Sequence, residues 1–458
     1  MTRTSSLFVA VARTPGAPAL HAQLEAGLRD AIRTGRLEEG SRLPSSRALA
    51  AELGVSRGVV VEAYAQLGAE GYLVARQGAA PRVAAVPAGA VPAAAPEVPP
   101  AFRYDLRPGT PDLALFPRAA WAASVRRVLR ELPDAALGYP DPAGLWRLCA
   151  ALAAHLGRVR GVAATPERVV VCGGVAEALA LAGRCLRARG ARRIAVEDPS
   201  HFGTREVLER AGLQPVAIPV DADGIDAVAL AASDPDAVLL APAHQFPTGV
   251  VLSAERRAAI VAWARASGAT VIEDDYDAEY RYDRNPVGAL QGLAPDRVIH
   301  TSSASKTLAP GLRMGWAVLP AELAAAFADE KRVASVGVAV LEQAVMADLI
   351  ERGELDRHLR RTRPAYRRRR DALLGALAGA RPGLAVGGVA AGLHVALQLP
   401  DGVSESAVAA AAAARGVAVN RLGEHVIETP RAPALLLGYA RESEPALRAA
   451  ARELAAVL

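Results

Sequence analysis

Lysine is rare in this chain, and one of its two lysines lies in a stretch suited to chemistry. Lysine and arginine together number 53, yet only Lys306 and Lys331 are lysines. Arginine stays protonated in proteins, whereas a lysine amine can lose its proton, attack a carbonyl carbon and form a Schiff base. A lysine retained at position 306 therefore predicts a nucleophilic amine. The competing interpretation is an ordinary surface lysine.

The residues around Lys306 predict a phosphate site. A phosphate is bound by N–H groups at the start of a helix, by hydroxyls and by a guanidinium fork. The chain offers all three kinds of group: Gly174, Val175 and Ala176 at a predicted helix start, the hydroxyls of Ser303 and Ser305, and Arg313. The amine and the phosphate site are thus predicted to belong to one ligand.

Asp274 and Tyr276 predict a partner for a pyridine ring. A carboxylate keeps a pyridine nitrogen protonated, so that the ring accepts electrons. Two residues further along an extended chain, Tyr276 points to the same side and its hydroxyl can meet a phenolic oxygen of the ring. With Lys306 and the phosphate site, these residues predict pyridoxal 5′-phosphate (PLP) held as a Schiff base. The neighbouring carboxylates Glu273, Asp275 and Asp277 are expected to be helix caps or solvated groups.

The elements that must position these residues alternate between strand and helix from about residue 104 onward. Apolar runs predict strands at 168–172, 193–197, 237–241, 269–273 and 297–300, with helices at 176–188, 205–211 and 254–266 between them. Such alternation predicts an α/β fold with a large mixed, mostly parallel sheet covered on both faces. Ligands of these sheets bind at the carboxyl ends of the strands, which is where the candidate site residues fall.

The N-terminal region follows a different pattern. Leu20, Leu24, Leu28 and Ile32 recur every four residues, which predicts an amphipathic helix. A second helix starts at Ser45 or Ser46, Gly54 ends it, and Ser56 begins a third, so the pattern is that of a helix-turn-helix. Residues 71–78 and 82–83 would add a β-wing. The alternative is a small protein-interaction domain.

In a helix-turn-helix, the start of the last helix faces base edges and its flanks hold phosphates. The candidate DNA contacts are Arg42, Ser45, Ser46, Arg47, Ser56, Arg57, Gly58, Arg76 and Gly78. Residues 1–83 contain 10 arginines against 7 acidic residues, so much of the chain's net charge of +5 lies here. That excess favours a polyanionic partner.

Composition and the positions of the prolines predict the domain organisation. Five prolines between residues 84 and 102 forbid a continuous helix and predict an extended linker. The predicted domains are therefore 1–83, a linker at 84–103, and 104–458 with a smaller α+β subdomain from about 320. No apolar run approaches the length of a membrane span. The three cysteines show no metal-ligand spacing, so reduced thiols, a cytoplasmic location and no metal site are expected.

Two sets of motifs carry a family resemblance. Residues 40–50, 53–57 and 69–73 resemble the winged helix of GntR-type regulators, with a departure at Val59, where that family often has a hydroxyl residue. Residues 139–144, 244–249, 273–277 and 303–313 resemble the fold-type-I aminotransferase module of MocR regulators, which join that module to a GntR-type winged helix. The resemblance extends from about Leu20 to Leu458 with the linker excepted.

The resemblance implies a role for each matching residue. Lys306 becomes the Schiff-base lysine, Asp274 the partner of the ring nitrogen and Tyr276 the contact of the ring oxygen. Ser303 and Arg313 would hold the phosphate, and Tyr139 would reach the phosphate in the neighbouring subunit of a head-to-tail homodimer. His201 falls where the fold stacks an aromatic ring on the cofactor, with an ordinary structural histidine as the alternative.

Three departures bear on activity. Gly174, Val175 and Ala176 lack the hydroxyl and amide with which many relatives hold phosphate. Phe246 stands where aminotransferases place an asparagine beside the ring oxygen. The C-terminal strand has no arginine near Leu436, where aminotransferases bind the substrate carboxylate, and whether Arg431 or Arg441 substitutes is left open.

The predicted function is a PLP-dependent, DNA-binding transcriptional regulator. Its effector domain would sense PLP, as in the vitamin-B6-synthesis regulators of this family, or a PLP-reactive amine or amino acid. The alternative is an active aminotransferase with an appended DNA-binding domain, although the three departures indicate at most residual turnover. The basic run at 360–370 is expected to be a solvated helix face rather than a DNA contact.

Overall fold

The computed structural model describes residues 2–4, 9–74, 80–85, 102–282 and 287–458. Two compact units divide the chain, Met1–Pro100 and Ala101–Leu458. Most of the predicted linker, and the predicted DNA contacts Arg76 and Gly78, lie outside the described residues. Within the described ranges no helix combines the length and the apolar character that a membrane crossing requires.

The N-terminal unit is a winged helix-turn-helix. Its elements are β1 (Thr2–Thr4), β2 (Ala10–Ala12), α1 (Leu20–Arg33), α2 (Ser46–Leu53), α3 (Arg57–Ala69), β3 (Leu73–Val74) and β4 (Arg82–Val83). The predicted stripe of α1 is buried from Leu24 to Ile32. Ser45 caps α2, accepting a hydrogen bond from Ala48 N at 3.2 Å, and Gly54 ends this helix in the left-handed conformation. β3 and β4 pair antiparallel as the predicted wing.

The C-terminal unit begins with an alternation of strands and helices. Its first elements are β5 (Tyr104–Asp105), α4 (Arg118–Glu131), α5 (Trp146–Arg160), β6 (Val169–Cys172), α6 (Val175–Ala188), β7 (Arg193–Asp198), α7 (Phe202–Arg210), β8 (Gln214–Asp221), β9 (Gly224–Ile225), α8 (Ala227–Ala232), β10 (Ala237–Leu240), α9 (Ala254–Ser267), β11 (Thr270–Asp274), β12 (Val298–Ser303), α10 (Ala304–Thr307) and β13 (Gly315–Val318).

These strands build an eight-stranded sheet in the order β6-β13-β12-β11-β10-β7-β8-β9. β7, β8, β10, β11 and β12 pair in parallel, whereas β13 runs antiparallel to both of its neighbours. Side chains of β6, β10 and β12 are buried along their whole length, because helices cover both faces. The predicted α/β class is confirmed, and the carboxyl ends of β11 and β12 lie side by side.

The remainder of the chain forms helices and a smaller sheet. Its elements are α11 (Ala321–Ser335), α12 (Val340–Glu351), α13 (Glu354–Ala380), β14 (Val386–Gly387), β15 (His394–Gln398), α14 (Glu405–Ala414), β16 (Val417–Ala418), β17 (Asn420–Arg421), β18 (Ala434–Gly438) and α15 (Glu444–Ala455). The smaller sheet has the order β14-β15-β18-β17 and is antiparallel in its described pairs.

The basic run on α13 is only in part the solvated face that its sequence indicates. Arg367 and Arg368 have exposed side chains. Arg363, however, donates two hydrogen bonds to the carbonyl of Glu279, and Arg369 forms a largely buried ion pair of 2.6 Å with Asp112. For these two arginines the prediction is wrong, because the helix packs against the domain on the face that carries them.

Candidate functional site

Lys306 lies directly after the carboxyl end of β12. Ser303 ends the strand, and its hydroxyl caps the single turn of α10 by accepting a bond from Ser305 N at 3.4 Å. The Lys306 amine is half-buried and donates to the backbone carbonyl of Gly109 at 2.7 Å. Burial lowers the pKa of Lys306, although the carboxylates of Asp277 and Asp274 oppose this shift. The neutral, nucleophilic amine is therefore easier to reach than in an exposed lysine.

Asp274 ends β11, the strand beside the one that leads to Lys306. Its Oδ1 is buried and has no hydrogen-bond partner among the described residues. Burial, together with the charge of Asp275, raises the pKa of Asp274 to about 7, while Lys306 opposes the shift. An unpartnered carboxyl group that exchanges its proton near neutral pH suits a pyridine nitrogen, which needs both a proton and a counter-charge.

Of the three carboxylates beside Asp274, Glu273 caps a 3-10 helix, Leu290–Leu293, as expected, whereas Asp275 and Asp277 are neither caps nor solvated groups. Glu273 is fully buried and accepts hydrogen bonds from the N–H groups of Leu290 and Gln291. Asp275 forms a bidentate pair with buried Arg160, at 2.8 and 3.0 Å. This pairing outweighs burial and lowers the pKa of Asp275, whose negative charge in turn raises that of Asp274.

A histidine links Tyr276 to Asp277. The Tyr276 hydroxyl lies 3.1 Å from His244 Nδ1, and the same nitrogen lies 3.1 Å from Asp277 Oδ2. Asp277 is thus a buried partner of His244, contrary to prediction. If the Nδ1 proton is shared between these two oxygens, the tyrosine proton is free to point toward a ligand oxygen. Donor atoms of His244, Asp277 and His394 also lie within 4.8 Å of one another, a geometry that suits a metal ion and that the sequence did not predict.

Aromatic rings gather on one side of this group. The exposed ring of His201 stacks on Phe202 at 5.1 Å and lies 5.6 Å from the ring of Phe246. Phe246 in turn meets Tyr276 edge to face at 6.5 Å. Although His201 is exposed at the surface, partial desolvation by the surrounding residues and the charge of Lys306 both lower the pKa of its imidazole. His201 thus lies close enough to feel the charge of Lys306, and Phe246 joins His201 to Tyr276.

The predicted phosphate groups meet at the turn from β6 into α6. Gly174 has φ +116°, and a Cβ there would lie 3.0 Å from Arg313 Nη2. That nitrogen donates to Gly173 O at 2.7 Å. Glycine is favoured at position 174 because residues with a side chain rarely adopt this φ, and an added side chain would also press on the guanidinium of Arg313. The first N–H groups of α6 and the fork of Arg313 thus come together, as the sequence predicts.

Tyr139 and the two arginines considered for a substrate carboxylate do not join the Lys306 site. The Tyr139 side chain is 95% exposed. Arg431 donates to the carbonyls of Asp198 and Val220, and Arg441 pairs with Asp105. Leu436, at the position of the missing arginine, is fully buried in β18. Both candidate carboxylate-binding arginines are thus engaged elsewhere.

The predicted DNA contacts lie on the surface of the N-terminal unit. Arg42, Arg47, Arg57 and Gly58 are exposed, and Arg57 Nε donates to Ser46 Oγ at 3.3 Å. In the described part of this unit the ion pairs are formed by His21, Arg29 and Arg36. Arg42, Arg47 and Arg57 take part in none of them. Ser45 is used in the cap of α2, and Ser56 stands at the N-cap of α3. The start of α3 therefore presents Arg57 to solvent, and Arg42 and Arg47 are exposed before and on α2.

Four residues were given no role at the site by the sequence analysis: His244, Asp277, Glu177 and Lys331. Only Glu177 had a usable signal, because an acidic residue three positions after Gly174 is typical of a helix start that folds back on its own N–H groups. The roles of the other three depend on contacts between distant segments.

Comparison with known proteins agrees with the two-part organisation. Residues 20–83 match the family model described as bacterial regulatory proteins, gntR family, and residues 106–433 match aminotransferase class I and II. The HTH-type pyridoxine biosynthesis transcriptional regulator PdxR of Corynebacterium glutamicum is 33% identical and covers 96% of both chains. The probable rhizopine catabolism regulatory protein MocR of Rhizobium meliloti is also 33% identical, over 92% of this chain and 90% of its own.

Solved structures of aminotransferases share the fold of the C-terminal unit. An archaeal alanine:glyoxylate aminotransferase matches with a TM-score of 0.70 and 27% identity, over 77% of this chain and 90% of its own. The α-aminoadipate aminotransferase LysN of Thermus thermophilus, complexed with N-(5′-phosphopyridoxyl)-L-leucine, gives the same score and identity and is covered over 91%. The chain therefore belongs to the MocR-type transcriptional regulators, in which a GntR-family DNA-binding domain precedes an aminotransferase class I and II domain.

Proposed function

We propose that the C-terminal domain binds PLP through Lys306 and that this binding controls how the N-terminal domain engages DNA. The observation that carries the proposal is that a half-buried amine and an Asp274 Oδ1 without a hydrogen-bond partner among the described residues lie at the ends of adjacent strands. When bound, PLP supplies a reactive aldehyde and an electron-accepting ring. Asp274 would hold the proton of the ring nitrogen, and Tyr276, oriented by His244, would donate to the ring oxygen.

The other end of the ligand falls at the α6 turn. The N–H groups of Gly174, Val175 and Ala176, the hydroxyls of Ser303 and Ser305 and the guanidinium of Arg313 would hold the phosphate. His201 and Phe246 would cover the ring. Without a side-chain hydroxyl or amide at positions 174–176, phosphate binding there relies on backbone N–H groups and Arg313.

PLP itself is the proposed signal, in preference to an amino acid. Arg431 and Arg441 have other partners, and position 436 is a buried leucine, so the arginines considered for an amino-acid carboxylate are not free. The regulator of C. glutamicum, whose name refers to pyridoxine biosynthesis, supports a signal drawn from vitamin B6. A PLP-reactive amine is the alternative signal.

A head-to-tail homodimer is part of the proposal. Several apolar side chains of the C-terminal unit are exposed: Leu129 at 63%, Leu137 at 61%, Tyr139 at 95% and Val333 at 72%. Near Gly173 and Arg313 the surface also opens into a mostly apolar cleft of about 790 Å³. A second subunit would cover such surfaces and bring its Tyr139 to the phosphate.

The N-terminal domain would bind a double-stranded operator through Arg42, Ser45, Ser46, Arg47, Ser56, Arg57 and Gly58, with Arg76 and Gly78 on the wing. Binding chromosomal DNA places the protein in the cytoplasm. The division 1–83, 84–103 and 104–458 belongs to the same proposal. Limited proteolysis that cuts first within 84–103 would support this division, and a first cut elsewhere would contradict it.

DNA contact is tested by operator binding of Arg57→Ala and Arg42→Ala. Each substitution removes one cationic contact and should weaken binding about tenfold. Arg36→Ala is the matched control, because Arg36 pairs with Asp30 on the same unit. Equal losses in all three variants would contradict the assigned surface.

The central experiment measures visible absorption and operator affinity of the full chain with and without PLP. Wild type should acquire the visible band of lysine-bound PLP and change its operator affinity, whereas Lys306→Ala should do neither. Absence of the band in wild type would refute PLP binding through Lys306. A normal band with unchanged operator affinity would refute PLP as the signal.

An aminotransferase that also binds DNA is the second candidate, because Lys306 and Asp274 are the groups that such an enzyme needs. Rapid conversion of bound PLP to the pyridoxamine form by common amino acids would favour it. Phe246 and Leu436 predict that this conversion is slow, and Leu436→Arg should accelerate it if the fold tolerates the substitution.

A further inference from the structure

The chain's second lysine, Lys331, has no part in the site described so far. It lies on α11 with a fully buried side chain. Its amine donates to Glu177 Oε2 at 2.9 Å and to Ser335 Oγ at 3.1 Å. Burying an ammonium group is costly unless a charged partner and hydrogen bonds compensate, so Lys331 and Glu177 form a specific pair.

Glu177 connects this pair to the turn that precedes α6. Its Oε2 also accepts the N–H of Gly173 at 2.5 Å, and its Oε1 accepts the Ser335 hydroxyl at 2.7 Å. Burial would raise the pKa of Glu177, but the bonds from Gly173, Lys331 and Ser335 outweigh it and lower the pKa. An ionised carboxylate therefore holds one side of the turn, while Arg313 holds Gly173 O on the other side.

The carboxylate stands next to groups suited to a phosphate. Gly173, whose N–H it binds, immediately precedes the N–H groups that open α6. An uncompensated negative charge beside these N–H groups would repel a phosphate dianion and would compete with it for the positive N-terminal end of α6. Lys331 cancels that charge from the buried side and leaves the hydrogen bond to Gly173 in place.

We propose that Lys331 is a positioning residue for phosphate: by its ion pair with Glu177 it offsets the carboxylate's charge at the Gly173–Gly174 turn and thereby selects phosphorylated over unphosphorylated pyridoxal. This inference rests on the proposed binding of PLP. It assigns Lys331 no contact with the ligand.

The test compares the affinities of the full chain for PLP and for pyridoxal, which lacks the phosphate, both followed by visible absorption. Lys331→Met exposes the turn to an unpaired carboxylate, so affinity for PLP should fall about tenfold or more while that for pyridoxal changes about twofold or less. In the double variant Glu177→Gln/Lys331→Met, both charges are gone and the new amide oxygen can still accept from Gly173. The preference for PLP should return to within about threefold of wild type.

Arg184→Met is the matched control, since Arg184 joins the same two helices through a half-exposed pair with Glu330 at 3.0 Å. It should leave the preference for PLP unchanged. Equal losses for both ligands in Lys331→Met, a similar loss of preference in the control, or a double variant as poor as the single one would each overturn the inference. If Lys331→Met fails to fold, the double variant decides alone: a retained preference supports the inference and a lost one refutes it. Failure of wild type to bind either ligand would instead refute the proposed function.

Discussion

The chain's two lysines are both withdrawn from solvent, yet their surroundings suit opposite tasks. Lys306 donates to a neutral backbone carbonyl, that of Gly109, and has two carboxylates nearby but none bonded to it. Lys331 donates to a carboxylate that is itself fixed by Gly173 and Ser335. An amine that is hydrogen-bonded only to a neutral carbonyl can lose its proton and react with a ligand. An amine that is hydrogen-bonded to a carboxylate is instead fixed in place as one half of an ion pair. The partner, and not burial alone, separates the reactive lysine from the structural one.

The largest effect is expected when the Lys306 amine is removed. In Lys306→Ala the visible band of lysine-bound PLP should disappear completely, because Lys331 is held by Glu177 and cannot take over. Absorption titration with PLP measures this directly, with Lys331→Met as the reciprocal variant that keeps the band. A band that survives in Lys306→Ala and vanishes in Lys331→Met would reverse the two assignments.

The free energy of unfolding should fall more on substitution of Lys331 than on substitution of Lys306, the reverse of the order for the visible band. Lys331→Met strands the Glu177 carboxylate, and because that group is 22% exposed we expect a loss of about 2 kcal/mol in the free energy of unfolding. Lys306→Met forfeits one hydrogen bond to a carbonyl and should cost less than about 1 kcal/mol. Urea denaturation without PLP, followed by fluorescence, reports on the C-terminal domain, which contains all four tryptophans. A larger loss in Lys306→Met would contradict the comparison.

The pH dependence of PLP uptake should show the lowered pKa of Lys306. Only the neutral amine attacks a carbonyl, so the uptake rate should rise with pH and level off below the range of an exposed lysine. The carboxylate of Asp277 favours the protonated amine, and Asp277→Asn should therefore move the rise to lower pH. Stopped-flow absorption measures the profile, with exposed Asp371→Asn as control. A midpoint at or above that of an ordinary lysine would show that burial does not activate Lys306.

Ser335→Ala should affect the turn less than Lys331→Met does. The Ser335 hydroxyl donates to Glu177 and accepts from Lys331, so its loss weakens the Lys331–Glu177 ion pair without removing either charge. We expect about 1 kcal/mol of destabilisation and an unchanged preference for PLP over pyridoxal. A loss of preference as large as in Lys331→Met would mean that the hydroxyl, and not the charge balance, shapes the turn.

Much of the fold was accessible from sequence because its signals are local. Fully buried strands must be continuous apolar runs, and the runs near 170, 195, 238, 271 and 299 are strands in the structure. The site environment was less accessible. Asp275 and Asp277 were expected to be helix caps or solvated carboxylates because their partners, Arg160 and His244, come from segments far away along the chain.

The sequence by itself determined the winged helix, the α/β domain and the prominence of Lys306, since periodicity, turn residues and an unusual lysine count are properties of neighbouring residues or of composition. The family followed from the resemblance of contiguous motifs, which the sequence also displays directly. Only the tertiary structure decided that Asp274 keeps a buried oxygen with no partner in the described part of the chain, that Arg431 and Arg441 are engaged elsewhere, and that Lys331 pairs with the carboxylate at the α6 turn. Those outcomes depend on which distant groups meet in a water-poor interior, where one partner more or less changes the protonation and the role of a side chain.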